Sequence, residues 1–113
     1  MESSDSVVNK MNELTRLNRV AILRTLDEHS SKLRELGAVR IGLFGSQARG
    51  EATDESDIDI LVRLKDHKFR TYCDVLHYLE DLFQRKIDLV LEDQLKPRIR
   101  PYILNEVVYV QGI

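Results

Sequence analysis

Two short runs decide the fold: Gly45-Ser46-Gln47-Ala48-Arg49-Gly50 and, with ten residues between Ser46 and its start, Asp57-Ile58-Asp59-Ile60-Leu61-Val62. The second run is apolar and β-branched, which predicts a buried strand. Side chains alternate faces along a strand, so Asp57 and Asp59 are expected on one face, about 6.6 Å apart at Cα. Aspartate is depleted in strands, and the pair therefore indicates a functional site.

A third acid lies in a second predicted strand, Ile87-Asp88-Leu89-Val90-Leu91. The carboxylates of Asp57 and Asp59, at about 6.6 Å, repel each other by roughly 2–3 kcal/mol at an effective dielectric of ~20. A bound dication would reverse the sign of that cost, and Mg²⁺ favours one or two carboxylates together with substrate phosphates. The bland alternative is that the acids end their strands and face water, which is more plausible for Asp88 taken alone.

The Gly-Ser pair follows a predicted strand over residues 39–44. Gly45 allows a tight turn and a close approach of phosphate to the backbone, and Ser46 is expected to cap a short helix over residues 47–49. Such a turn presents free N–H groups to anions. Arg49 is a candidate phosphate contact, although an exposed arginine is also ordinary surface. The chain has no P-loop motif and no Gly-x-Gly-x-x-Gly run, which excludes those two nucleotide-binding patterns.

The remaining pattern predicts an α+β fold, a small mixed β-sheet with helices packed on one face and the acid-bearing face open. Apolar residues recur at helical spacing from Leu14 to Leu36, as one helix or as two broken near Ser30, ending at Gly37. We further predict helices at 68–84 and 98–105, and strands at 57–64, 86–91 and 107–110, the last at an edge. An apolar stripe in the helix at 68–84 is predicted to lie in the core, with a surface for a partner as the alternative for part of it: Phe69, Tyr72, Leu76, Leu79 and Phe83.

Length and composition indicate one domain over residues 1–113, with residues 1–8 frayed. The chain is 42% hydrophobic and 32% charged, which is typical of a soluble globular protein. Its net charge of −2 gives no reason to expect stable nucleic-acid binding. A single cysteine, Cys73, suits a reducing cytoplasm, and no signal peptide or membrane-spanning run is expected.

The stretches 43–52 and 56–62 resemble the nucleotidyltransferase superfamily with the polymerase-β-type palm. They are most similar to the minimal nucleotidyltransferases, the antitoxin half of HEPN/MNT toxin–antitoxin pairs. The resemblance runs from about residue 26 to residue 110, and includes the third strand and the tail Leu95-Lys96-Pro97-Arg98-Ile99-Arg100-Pro101. The chain departs from the family at Gln84, where members often have the glycine that closes a helix.

The resemblance implies an enzyme that needs Mg²⁺ and transfers AMP from ATP to a tyrosine of a partner HEPN ribonuclease toxin. It places the triphosphate on Gly45 and Ser46, and gives Arg49 a contact with phosphate or a role in the turn. It also implies three catalytic and metal-binding carboxylates, with the third helping to activate the attacking hydroxyl: Asp57, Asp59 and Asp88.

Other functions stay open. The chain could neutralise its partner by binding alone, or act as a nucleotidyltransferase on a small molecule or RNA, although it is too short to include an acceptor domain. The missing domain predicts a protein partner and allows a homo-oligomer. A basic tail, Lys96, Arg98 and Arg100, is either a solvated face or a contact to phosphate or toxin.

Overall fold

The computed structural model describes residues 18–52 and 56–113. Predictions for residues 1–17, including the frayed terminus and the start of the first helix, lie outside the described residues. Within the described ranges, no helix is both long enough and apolar enough to cross a bilayer.

The order of elements follows the prediction closely. Two helices come first, and the chain breaks between them at His29, so the two-helix alternative is confirmed. A short 3₁₀ turn after the third strand is an addition to the predicted elements. In chain order the elements are α1 (Arg19–Glu28), α2 (Ser30–Leu36), β1 (Ala38–Phe44), α3 (Gly45–Arg49), β2 (Ile58–Leu64), α4 (Phe69–Phe83), β3 (Ile87–Leu91), the 3₁₀ turn (Glu92–Gln94), α5 (Arg100–Glu106) and β4 (Val108–Tyr109).

The four strands form one mixed sheet in the order β3-β2-β1-β4. β1 pairs antiparallel with both β2 and β4, whereas β2 and β3 run parallel and are joined by the crossover helix α4. This confirms the predicted α+β class and the place of β4 at an edge. Because β2 and β3 are parallel, residues near their amino ends meet at the same edge of the sheet.

The main core lies between α1, α2 and α4 and one face of the sheet. Ile58, Ile60 and Val62 of β2 are fully buried there, because alternate side chains of the strand point to that face. Helix α4 contributes Val75 and Leu79 to the same core. Helices α1, α2 and α4 therefore pack on the face opposite Asp59, as predicted.

The acid-bearing face carries a second, smaller cluster. Leu61, two residues beyond Asp59 on β2, is fully buried there with Phe44 and Leu95. Ile103 and other residues around α5 pack against this cluster. That face is thus open at its acidic end and covered in its middle, which the sequence did not predict.

Helix α4 corrects one detail of the predicted core. Its buried residues follow a spacing of four and are Thr71, Val75, Leu79 and Phe83. Phe69 lies two residues before Thr71, about 200° around the helix, and is 78% exposed, so its placement in the core is wrong. It stacks on Tyr72 with ring centroids 6.3 Å apart.

The unusual helix end at Gln84 is also visible. Gln84 caps α4 with φ 51° and ψ 44°, the left-handed conformation that glycine adopts readily. Its side-chain amide donates a hydrogen bond to the Asp81 carbonyl at 2.7 Å, which secures the turn. Glutamine in place of glycine therefore raises the conformational free energy of the turn, while the backbone still adopts the left-handed conformation.

Candidate active site

The turn after β1 brings the backbone at Gly45 against the side chain of Asp59. Gly45 has φ 74°, and a Cβ built there would overlap Asp59 Oδ2 and lie 2.9 Å from Asp59 Cγ. A side chain at this position is therefore excluded by both the backbone conformation and the space. The chain turns at Gly45 itself, so α3 begins there with Phe44 as its N-cap and no side-chain cap. The predicted cap by Ser46 is wrong, because Ser46 already lies inside the first turn.

Asp59 and Asp88 face each other directly across the parallel pair β2–β3. Burial raises the pKa of Asp59 to about 6, and the charge of Asp88, a hydrogen bond to Asp88 and the charge of Asp57 act in the same direction. Arg49 opposes the shift more weakly. The predicted convergence of Asp59 and Asp88 on one face is therefore present in the structure, in the form of two carboxyl groups that interact unfavourably when both are ionised.

Asp57 lies just outside this pair. It precedes β2, is exposed, and has its Oδ2 3.9 Å from the Nζ of Lys86. Within residues 18–52 and 56–113, no group of three or more acidic, histidine or cysteine side chains is arranged to hold a metal ion. Asp59 and Asp88, which lie opposite each other, are the two carboxylates placed to share a cation, and two carboxylates suit a magnesium ion whose other ligands are phosphate and water.

Arg49 is held by two acids. Its Nε donates to Glu51 Oε1 at 2.9 Å, and its guanidinium also donates to both carboxylate oxygens of Glu106 at 3.1 and 3.2 Å. These hydrogen bonds raise the pKa of Arg49 above its ordinary value, the bond to Glu51 most. Glu106 Oε2 also accepts a hydrogen bond from the Gly45 N–H at 2.6 Å.

Sequence reasoning missed Glu106. It ends α5, 61 residues after Gly45, so no local spacing connects the two. The only available signal was its position directly after the predicted helix at 98–105. Its two contacts place it beside the residues expected to bind phosphate.

The basic tail does not reach the acid pair. Arg100 donates a hydrogen bond to the backbone oxygen of Glu92 at 3.0 Å, beyond the carboxyl end of β3. Asp88 lies near the opposite end of that strand. Lys96 and Arg98 are exposed in the same segment, and the structure assigns this tail no contact with the candidate site.

The mixed sheet, the glycine turn and the facing aspartates define a nucleotidyltransferase. The family profile of the nucleotidyltransferase domain matches residues 26–110, and the chain belongs to that family. Protein adenylyltransferase MntA of Thermococcus cleftensis is similar to it, with 44% identity over 75% of this chain and 88% of MntA.

Solved structures give the same fold. A candidate minimal nucleotidyltransferase, 32% identical, superposes with a TM-score of 0.71 over 81% of this chain and 95% of that chain. A complex of a tri-AMPylated Shewanella oneidensis HEPN toxin with an MNT antitoxin matches with a TM-score of 0.57 and 20% identity, over 80% of this chain and 73% of that chain. At that identity the second likeness shows the fold alone.

Proposed function

We propose that the chain is an antitoxin and a protein adenylyltransferase, which transfers AMP from ATP to a tyrosine of a partner HEPN ribonuclease toxin. The observation that carries this proposal is the direct pairing of Asp59 with Asp88 beside the turn at Gly45. The similarity to the T. cleftensis adenylyltransferase supports the reaction. The S. oneidensis complex shares only the fold, and the proposed acceptor is taken by analogy with its tri-AMPylated HEPN toxin.

In this proposal Asp59 and Asp88 would hold Mg²⁺, and Asp57 would join them after releasing Lys86. The ion would offset the mutual repulsion of the carboxylates and neutralise charge that develops on the phosphates. Ionised Asp59 is costly to the free chain, because burial and then the charge of Asp88 raise its pKa to about 6. Acids kept in such an arrangement are common at functional sites.

The triphosphate is placed on the turn that follows β1. The N–H groups at Gly45 and Ser46 donate to its oxygens, and Arg49 contacts a phosphate with its planar set of N–H donors. Gly45 matters twice, because its missing side chain also lets the turn lie against Asp59. This would hold the α-phosphate next to the acid pair.

The reaction itself is a substitution at the α-phosphorus. The tyrosine oxygen forms a bond to phosphorus, the bond from phosphorus to the pyrophosphate oxygen breaks, and pyrophosphate leaves. The phenolic proton needs an acceptor, and we assign that role to Asp88, which is exposed at the edge strand β3 where an incoming chain has access.

We also propose where and with what the chain works. Its one cysteine, Cys73, is unpaired, which suits the cytoplasm. The acceptor tyrosine would come from the partner, which would also supply the surfaces that a larger nucleotidyltransferase has in an additional domain. Assembly with further copies of the chain stays a prediction.

The test is co-expression with the protein encoded beside it, followed by intact-mass spectrometry of that protein. The wild-type chain should add one or more AMP units, and the double variant Asp57→Ala/Asp59→Ala should add none. Asp74→Asn is the matched control, since Asp74 is an exposed aspartate on α4, on the other side of the sheet. It should transfer as the wild type does.

The outcomes separate the candidate functions. Unchanged transfer by the double variant would contradict the roles given to Asp57 and Asp59. No mass gain with any variant, together with a stable complex and continued protection from the toxin, would favour neutralisation by binding alone.

A further inference from the structure

Glu106 occupies hydrogen-bond donors that the proposed function gives to a phosphate. Its Oε2 accepts from the Gly45 N–H at 2.6 Å, and both its carboxylate oxygens accept from the Arg49 guanidinium. Its side chain is only 28% exposed, so the contact is partly shielded from water. A negatively charged group of the chain thus lies where a negatively charged ligand would bind.

The chemistry of the two anions is the same. Carboxylate and phosphate oxygens both form short, charge-assisted hydrogen bonds with guanidinium and backbone N–H groups. One N–H can serve only one of them well at a time. Gly45 also lies against Asp59, so a phosphate bound there with Glu106 still in place would meet carboxylates on two sides.

We propose that Glu106 is an internal competitor for the phosphate position, which binds Gly45 and Arg49 in the free chain and is displaced by the triphosphate. This rests on the proposed function, since it takes from it that the triphosphate binds at Gly45 and Arg49. Glu106 then sets the affinity of the chain for nucleotide, and keeps the Gly45 N–H hydrogen-bonded when no nucleotide is bound.

The backbone around Glu106 allows this exchange. Val107, the next residue, donates a backbone hydrogen bond to Ile103 at 2.9 Å, and β4 begins directly afterwards, paired with β1 through Gly42 and Leu43. The backbone on both sides is therefore fixed, and displacement requires only a rotation of the glutamate side chain. The released carboxylate is close enough to the surface to reach water.

The first variant is Glu106→Gln, which keeps the length of the side chain and removes its charge. The dissociation constants of Mg²⁺–AMP-PNP and of Mg²⁺–tripolyphosphate are measured by calorimetry with the full chain. We expect both to fall by about 5–10-fold, because a charge-assisted hydrogen bond is replaced by a neutral one. Both ligands should gain alike, since the contact is made to phosphate rather than to the base.

The matched control is Glu51→Gln. Glu51 also pairs with Arg49, at 2.9 Å, but its side chain is 66% exposed. Removing its charge should change the dissociation constants by less than about twofold, as expected for an exposed pair. Glu106→Asp is a second test, because it retains the charge on a shorter side chain and should bind nucleotide more tightly than wild type if the contact is broken.

Three results would overturn the inference, and they are distinguishable. If the wild type binds Mg²⁺–AMP-PNP, weaker binding by Glu106→Gln would show that Glu106 positions Arg49 for the ligand, and unchanged binding would show that Glu106 does not compete with it. Either result would leave the proposed function standing. No binding of Mg²⁺–AMP-PNP by the wild type would remove the proposed function and the inference together.

Discussion

Two ends of the same sheet face carry carboxylates in opposite surroundings. At one end Glu92 is 4% exposed and is matched by cations: Arg40 lies 3.5 Å from Oε2, Arg63 lies 4.0 Å from it, and the Tyr109 hydroxyl donates to Oε1 at 2.9 Å. Arg40 also lies over the Tyr109 ring, 4.6 Å from its centroid. This end satisfies its charge within the chain.

At the other end Asp59 and Asp88 face each other. Within the described part of the chain, no basic side chain lies within ion-pair distance of either, whereas Asp57 beside them has Lys86. Among the described residues, the charge of Arg49 opposes the raised pKa of Asp59 only weakly, so this end is less well matched than the end at Glu92.

The surroundings of these carboxylates distinguish a structural acid from a candidate functional one. Both ends lie on one face, and Asp88 and Glu92 are four residues apart. A buried acid that is paired with cations of its own chain has a structural role, whereas a pair of facing acids lowers stability and indicates a candidate functional site. Four predictions test this contrast between the two ends of the face.

The largest effect is expected for Asp59→Asn. AMP transfer to the purified partner should fall by roughly 10²–10³-fold, as when one group that stabilises transition-state charge is removed. Its fold should be at least as stable as the wild type, because a repulsive charge is lost. Initial rates and urea denaturation measure the two quantities, and a rate within threefold of wild type would refute the catalytic role.

Next is the pair Gly45→Ala and Gly50→Ala. Both glycines have φ 74°, so each variant should lose about 1–2 kcal/mol of stability to the left-handed backbone. A Cβ at Gly50 would meet nothing within 4 Å, whereas at Gly45 it would displace Asp59. Only Gly45→Ala should also slow transfer, by roughly 10²-fold. Equal transfer rates for the two variants would contradict this account of the turn.

Glu92→Gln should do the reverse of Asp59→Asn. We expect it to lower the free energy of unfolding by about 1–2 kcal/mol, at the lower end for a buried acid because Arg40 and Arg63 are half exposed and can rehydrate. Transfer by the folded fraction should not change. Asp93→Asn is the neighbouring control, with an exposed partner in His67. A Glu92 variant as stable as this control would place the Glu92 cluster among ordinary surface pairs.

The smallest effect is a pH dependence of stability. The pKa of Asp59 rises from 3.8 to about 6 on folding, so the folded chain binds this proton more tightly than the unfolded chain. Protonation therefore stabilises the fold: the contribution is complete below about pH 4 and is lost as pH rises through about 6. Because Asp59 is partly exposed, we expect about 1 kcal/mol after allowing for solvent screening.

The measurement is the free energy of unfolding near pH 5 and near pH 7, in wild type and in Asp59→Asn. The difference between the two pH values should be larger in the wild type by that amount. Identical pH profiles would show that Asp59 titrates as an ordinary exposed acid.

Much of the sheet and of the acid pair was predictable because local patterns encode them. The alternation in β2 and β3 gave both the strands and the shared face of Asp59 and Asp88, with strand bounds within one residue of those observed. The position of α4 followed from its apolar spacing. The prediction for Phe69 is wrong because apolar spacing alone does not distinguish a core position from an exposed position at the end of a helix. That distinction depends on how the helix packs against the sheet.

What the sequence did not contain are contacts that depend on tertiary packing. The parallel register fixes Asp59 opposite Asp88, and no local pattern specifies a register between strands separated by a helix. The Glu106 contact with Gly45 and the Arg40 contact with Glu92 span 61 and 52 residues. The turn began at Gly45 and not at Ser46 because glycine allowed it to do so.

We propose that the two facing carboxylates, Asp59 and Asp88, bind a cation that arrives with the nucleotide. The most direct measurement is an NMR titration of the Asp59 side-chain carboxyl carbon, with and without Mg²⁺–AMP-PNP. We predict a midpoint of about 6 for the free chain, and a clear decrease of the midpoint when the magnesium nucleotide is bound. A midpoint near the ordinary value of about 4, unchanged by the magnesium nucleotide, would contradict the claim.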